Sequence, residues 1–564
     1  MIRKLFGNLG ALVLCAVLAC TAYAANEPAR AFNGMVVSQN HLASDIGVQV
    51  MRDGGSAIDA AVATAFALAV THPTAGNIGG GGFLVFRPNE GEPVAYDFRE
   101  TGPAASYPEM WLEDGEYSFQ RHHMSHLSVG VPGTVAGLYL AWQDNGRLPW
   151  KRLLAPAIEL AENGFTVTHG LARSLARALP RLSKYPASLA QFSKNGEPYE
   201  PGDLLVQKDL ADTLKRIARN GPDGFYKGKT AELIVREMEA NGGVITLDDL
   251  AGYQARKREP VRGAYRGYEI LSMPPPSSGG TTLVEMLNIL EGYDIGALGF
   301  GSTATLHRMA ESMRRAYADR ARFLGDPDFN DDMPLDRLRS KVYADELRAT
   351  INPDKASVST PDDFTWPVES DETTHFSVVD KDRNAVSLTY TLEWGYGSGI
   401  VVPGAGFLLN NELGDFNAGP GLTNDQGLIG TPANLAGPSK RPLSSMTPTI
   451  LAKDGQLFMV TGSPGGRTII NTVLQTILNV IDHGMNAQTA VDVGRIHHQW
   501  LPDRIYYERH GFSVDSLNGL RALGHELEER DQQGVAEVIV VNAEEGVLEG
   551  GVDGRVPDGG AAGY

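Results

Sequence analysis

The chain has 564 residues, with 49 Lys and Arg against 68 Asp and Glu, and the resulting net charge of −19 argues against nucleic acid or an anionic membrane as a general partner. Hydrophobic content of 42% and charged content of 21% are ordinary for a globular protein. The two cysteines, Cys15 and Cys20, fall within the first 20 residues, so the rest of the chain must be stabilised by packing, without disulfides or thiolate-bound metal.

The N-terminus reads as an export signal. Met1-Ile2-Arg3-Lys4 is basic, residues 9–20 are apolar, and Ala22-Tyr23-Ala24 meets the small-residue rule for removal after Ala24. The apolar run falls short of the roughly 20 residues that span a bilayer, which favours a leader over stable membrane insertion. A lipid anchor on Cys20 is a weaker alternative, because Leu18-Ala19-Cys20 only partly fits one.

Helical apolar spacing over 43–52 and 57–70 is followed by a buried strand over 82–86. The glycines at 79–82 precede that strand and no Lys-Ser/Thr follows them, so they are not a phosphate loop. Next come Tyr96-Asp97-Phe98-Arg99-Glu100, then Ser128-Val129-Gly130-Val131-Pro132-Gly133 before a helix over 135–142, then amphipathic helices between 150 and 250. A strand over 268–272 runs into MPPPSSGG at 273–280, and helices are predicted over 281–290 and 303–322. His307, within the last of these, has no metal-ligand spacing and reads as a packing or surface residue. Residues 329–371 are polar, rich in Asp and Pro, and predicted to form an exposed loop.

The text from 371 is DETTHFSVVDKDRNAVSLTYTLEWGYGSGIVVPGAGFLLNNELGDF, in which the hydroxyl pair Thr373 and Thr374 opens an alternating strand over 375–379 and an Asp-Arg-Asn turn leads into a second strand. Further on stand Pro442-Leu443-Ser444-Ser445-Met446-Thr447-Pro448, then Thr461-Gly462-Ser463-Pro464-Gly465-Gly466, then an apolar helix over 467–481.

The stretch from 371 closely resembles the start of the small subunit of the gamma-glutamyltransferases, which belong to the N-terminal nucleophile hydrolases. The other quoted motifs and the ending at 553–564 match the same family, in order, over nearly all of the chain after the leader. The resemblance implies an α+β fold, a four-layer αββα sandwich formed as one unit despite the length. It also implies a precursor that cuts itself between Glu372 and Thr373, giving a large subunit (25–372) and a small one (373–564) that stay together.

By the same resemblance Thr373 is the nucleophile, Thr391 orients it, and the backbone N–H groups of Gly465 and Gly466 face the developing oxyanion. Arg99, Ser444 and Ser445 hold the glutamyl α-carboxylate; Glu412 and Asp415 hold its α-ammonium. Two positions depart from the family. Glu393 stands where an Asn usually contacts that ammonium, and Gln426, in the segment 417–441 that resembles a lid, stands where many members have an aromatic. Three carboxylates around one cation repel, so at least one pKa should rise.

The chemistry follows from the residue types. A Thr hydroxyl needs a base within hydrogen-bond reach, and a chain-terminal Thr carries its own α-amine, with a reference pKa of about 7.7–8.0. The expected activity is transfer of a gamma-glutamyl group from glutathione or another small gamma-glutamyl compound, through a Thr373 ester, to water or to an amino acid or peptide amine. No metal and no organic cofactor are implied, and the expected location is the bacterial periplasm or the medium. The alternatives are a related cephalosporin (glutaryl) acylase, kept open by Glu393 and Gln426, and a non-enzymatic binding homologue.

Overall fold

The computed structural model describes residues 26–360, 373–422 and 431–564. The predicted leader, Glu372 and Gln426 lie outside these described residues.

The strand Thr374–Val379 turns at Asp380, whose carboxylate accepts from the backbone N–H groups of Asp382 and Asn384, and returns antiparallel as Ala385–Thr391. Both strands are buried along their whole length. The two-residue period then sorts their side chains. Phe376, Val378, Val386, Leu388 and Tyr390 enter an apolar cluster shared with the helices His41–Arg52 and Ala57–Thr71. His375, Ser377, Ser387 and Thr389 face the other way, as do Thr373 and Thr391 by the same period.

This hairpin is the middle of a seven-stranded antiparallel sheet, in the order Gly560–Gly563, Met35–Ser38, Thr374–Val379, Ala385–Thr391, Gly81–Arg87, Val94–Phe98, Arg256–Arg258. A second seven-stranded sheet has the order Ala29–Ala31, Val547–Val552, Glu537–Asn542, Gln456–Gly462, Thr449–Lys453, Tyr268–Ser272, Val261–Tyr265. The sheets pack face to face, with Thr374–Val379 and Ala385–Thr391 against Gln456–Gly462. The helices Gly279–Glu291, Thr303–Phe323 and Thr468–Ile481 cover the outer face of the second sheet. Three apolar clusters fill the three interlayer spaces, as the αββα expectation requires.

Both sheets mix strands from the two parts of the chain: in the first, Met35–Ser38 lies between Gly560–Gly563 and Thr374–Val379, and in the second, four strands from 449–552 are flanked by Ala29–Ala31 and Tyr268–Ser272, so neither part supplies a whole sheet alone. The glycines at 79–82 serve close packing: a Cβ on Gly80 would lie 2.0 Å from the carbonyl of Thr391, and one on Gly79 2.1 Å from that of Leu408.

One expectation fails. Within the predicted loop at 329–371 the chain forms two helices, Leu335–Leu338 and Lys341–Ala349. Ser340 caps the second through the N–H of Tyr343, and Ala344 packs against Ile289. With Ala344 its only fully buried residue, this short helix rich in charge leaves little periodicity in the sequence.

Candidate active site

Thr373 stands at the mouth of the central hairpin, 7% exposed, with its Oγ1 donating to Thr391 Oγ1 over a long 3.4 Å. Thr391 is fixed in turn: its Oγ1 accepts from the N–H of Glu393 (2.9 Å), and its carbonyl accepts from Asn77 Nδ2 (2.9 Å). Both threonines line a cleft together with Arg99, Glu393, Glu412, Asp415, Ser444, Ser445 and Gly466. The fold thus brings together residues from four separate stretches of the sequence.

Arg99 follows directly on the strand Val94–Phe98 and is fully buried. Its guanidinium donates to Glu412 and to Asp415, which sit on the 3₁₀ turn Glu412–Asp415, and its Nε and Nη2 also reach the carbonyls of Pro442 and Leu443. The predicted carboxylate clamp and the predicted ammonium acceptors therefore pair with each other. Burial opposes the charge on Arg99, but Glu412, Asp415 and Glu100 more than offset this and raise its pKa, so the guanidinium stays charged.

Glu100, buried 3.8 Å from Arg99, is a further carboxylate of this cluster that sequence reasoning missed. Burial pushes it up to about 8 against the pull of Arg99. Burial also raises Glu412, again against Arg99. The acidic cluster therefore holds a proton near neutral pH.

Glu393 lines the cleft but is not on Arg99. One carboxylate oxygen accepts from Asn411 Nδ2, and the other lies 3.4 Å from His123 Nδ1. Burial lowers His123 to about 4, so its imidazole is neutral at pH 7. His123 stacks on Trp394 and meets at a tilt the ring of His122, which stacks on Trp111. Nothing in the sequence spacing joins residues 122–123 to 393.

Ser444 and Ser445 line the same cleft, directly after Leu443, whose carbonyl Arg99 reaches. Ser444 Oγ accepts from the N–H of Met446 (3.1 Å), and its backbone is held by Pro276 and Ser278, inside the MPPPSSGG segment. Ser445 Oγ accepts from Arg320 Nη2 (2.7 Å). Gly465 and Gly466 follow the strand Gln456–Gly462 with φ of +128° and +53°, and a Cβ on Gly465 would lie 2.4 Å from Thr468 Oγ1. Their loop leads into the N-terminus of the helix Thr468–Ile481, whose dipole favours negative charge there.

Among the described residues one other group of possible metal ligands comes together, His307, Glu311 and His525, with ligand atoms within 4.8 Å. Its donors are already engaged: His307 bonds His525 (2.8 Å) and the Asn352 carbonyl (2.8 Å), while Glu311 bonds Arg314, Arg315 and the N–H of Ser357.

A threonine hydroxyl paired with a second hydroxyl, a glycine loop at a helix N-terminus and a buried Arg with facing acids are groups that acyl transfer from a zwitterionic donor can use. Residues 43–564 match the family model described as Gamma-glutamyltranspeptidase. The chain is 49% identical over 546 residues to a glutathione hydrolase proenzyme of Escherichia coli strain K12, covering 95% of this chain and 93% of that one. It superposes on a cephalosporin acylase from Bacillus halodurans with a TM-score of 0.84 at 28% identity, covering 97% of this chain and 98% of that one. On a gamma-glutamyltranspeptidase of Helicobacter pylori the TM-score is 0.55 at 49% identity, over 56% of this chain and 91% of that one. The chain belongs to the gamma-glutamyltranspeptidase family.

Proposed function

We propose that this protein is an exported, self-processing gamma-glutamyltransferase and glutathione hydrolase. The observation that carries the proposal is the shared cleft, with Thr373 and Thr391 beside Gly466 on one side and Arg99 with Glu412 and Asp415 on the other. Export to the periplasm or the medium rests on the leader; among the described residues no helix is long and apolar enough to cross a membrane.

In the uncut chain the Thr373 nitrogen is an amide and cannot act as a base. Its hydroxyl attacks the Glu372 carbonyl, the peptide becomes an ester with release of the amine, and water hydrolyses the ester to leave a Glu372 carboxylate and a free Thr373. The α-amine then takes the hydroxyl proton as Thr373 attacks the γ-carbonyl of the donor. The N–H groups of Gly465 and Gly466 stabilise the oxyanion, each such donor contributing about 2.7–4 kcal/mol. The ammonium of Thr373 returns its proton to the leaving amine. Water or an acceptor amine attacks the gamma-glutamyl ester in the second half and restores the hydroxyl.

The acidic wall favours this reading over a glutaryl acylase. A glutaryl group has no ammonium, and would take Arg99 from Glu412 and Asp415 while bringing no cation in exchange. A gamma-glutamyl group brings both charges.

The test is intact-mass analysis on a denaturing gel of the wild type beside Thr373→Ala. Two fragments meeting at Glu372 and Thr373 are expected for the wild type, and one inactive chain for the variant. A wild type that remains one chain removes the amine base and overturns the proposal.

A further inference from the structure

Glu412 lines the cleft and Glu100 lies behind it, and both side chains are buried. Glu100 is held in a slot between two glycines: a Cβ on Gly81 would lie 2.5 Å from its Oε2, and one on Gly130 2.9 Å from its Cβ. The two carboxyl groups face each other within hydrogen-bonding reach. Glu412 Oε1 accepts from Arg99, but among the described residues no N–H or O–H of another residue donates to Glu412 Oε2 or to either oxygen of Glu100. Two buried carboxylates in contact repel, whereas one proton between them makes the contact a hydrogen bond and satisfies an acceptor on each.

The surroundings offer these acids little else. Arg99 is shared with Asp415 as well. The phenols of Tyr226 and Tyr253, near Glu100, are kept neutral by burial. The helix Phe119–His123 packs on the Glu412–Asp415 turn with His122 and His123, both also kept neutral by burial. Glu393 meets that turn at Gly414, and His126, on the neighbouring 3₁₀ turn, is paired with Glu237.

We infer that Glu100 and Glu412 share one proton in the free enzyme and release it when the α-ammonium of a donor reaches Glu412, which makes Glu100 a positioning residue for that ammonium; this rests on the gamma-glutamyl reading of the cleft. One O–H bond of the carboxyl pair breaks, its electron pair stays on the carboxylate oxygen, and the proton leaves to water. The ammonium keeps its N–H bonds and donates where the proton had been. One cation replaces another, so the buried charge of the cluster is unchanged and no acid is left uncompensated. The donor's α-carboxylate arrives with the ammonium but meets Arg99, while the ammonium touches Glu412 itself, and the nearer charge sets the sign. Burial pushes Glu100 up to about 8 against the pull of Arg99, so at pH 7 the proton is in place before the donor arrives.

The experiment is calorimetric titration of the processed enzyme with L-glutamate, which carries both charges and is not turned over, in two buffers of different ionisation enthalpy. At pH 7 the wild type should release about one proton per site more than Glu100→Gln, whose amide N–H donates to Glu412 permanently. The Kd for L-glutamate should fall by about tenfold for each pH unit between about pH 6 and 7 in the wild type and stay level in the variant. A merely structural Glu100 moves neither quantity. Equal proton release from the two proteins places the proton elsewhere and overturns the inference. Where Glu100→Gln yields no processed protein, the wild type decides: binding without proton release, or with a Kd that does not change with pH, overturns it. Cleavage of gamma-glutamyl-p-nitroanilide alongside such a result leaves the gamma-glutamyl reading standing, whereas no cleavage of that donor and no binding of L-glutamate overturns the reading and the inference together.

Discussion

The two walls of the cleft are built differently. On the Ser444–Ser445 side each hydroxyl accepts from a named donor and the backbone is held by the 273–280 segment. On the other side Glu100, Glu412 and Asp415 crowd around one guanidinium, and neither oxygen of Glu100, nor Glu412 Oε2, has a hydrogen-bond partner among the described residues. Buried acceptors are almost always satisfied, so the first wall is complete in itself while the second is short of donors. On the proposed gamma-glutamyl reading, an ammonium with three N–H groups would supply what the second wall lacks, and the Arg99 it frees from the acids would meet the ligand's carboxylate. On that reading the asymmetry would specify a zwitterion more narrowly than either wall alone.

Removing Arg99 is the most severe way to break this comparison. Arg99→Met leaves the buried Glu412 and the partly buried Asp415 without their cation, a loss of about 3–5 kcal/mol, and kcat/KM for a gamma-glutamyl donor should fall by roughly 10³. A fall of less than tenfold would show that the serine wall alone recognises the carboxylate. Glu100 provides the next largest effect. Its pKa is raised from 4.5 to about 8 in the folded protein, chiefly by burial. Between these values the folded chain keeps a proton that the unfolded chain has released, so stability falls as pH rises through that window, and levels off above 8. The slope is of order 1 kcal/mol per pH unit for a single group. Glu100→Gln cannot titrate and should gain on its parent from pH 5 to 8, read as urea midpoints in the Thr373→Ala background, which keeps one chain. A constant difference over that range would mean that Glu100 is already ionised.

The strands and helices were legible in the local text, and the layers and the candidate residues that line the cleft through the family resemblance that local motifs carry. Thr373 stands just before a strand, Gly465-Gly466 precede an apolar helix, and Arg99 stands just after a strand that the Tyr96–Glu100 motif marks. What stayed hidden depends on side chains brought together from far apart. Arg320 meets Ser445 across 125 positions, and Asn411 reaches the carbonyl of His123 across 288. No spacing rule encodes such pairs. The expected repulsion among acids was legible, but its members were not: Glu100 joined the cluster, while Glu393 turned to Asn411 and His123.

That turn gives the smallest and sharpest contrast. Asp415 bonds Arg99 directly and Glu393 does not, although both line the cleft. Asp415→Asn weakens a charge-assisted bond and should lower kcat/KM by about 10–100-fold. Glu393→Asn keeps an acceptor for Asn411 and loses only a charge at the edge of the ammonium site, so KM for gamma-glutamyl-p-nitroanilide should rise by about fivefold with kcat little changed. Unaltered kinetics would assign Glu393 to the scaffold formed with His123 and Asn411, and the departure from the family at this position would then have no bearing on the donor. A loss as large as that of Asp415→Asn would mean that the ammonium draws Glu393 away from Asn411 when the donor binds, making three carboxylates the true acceptor set.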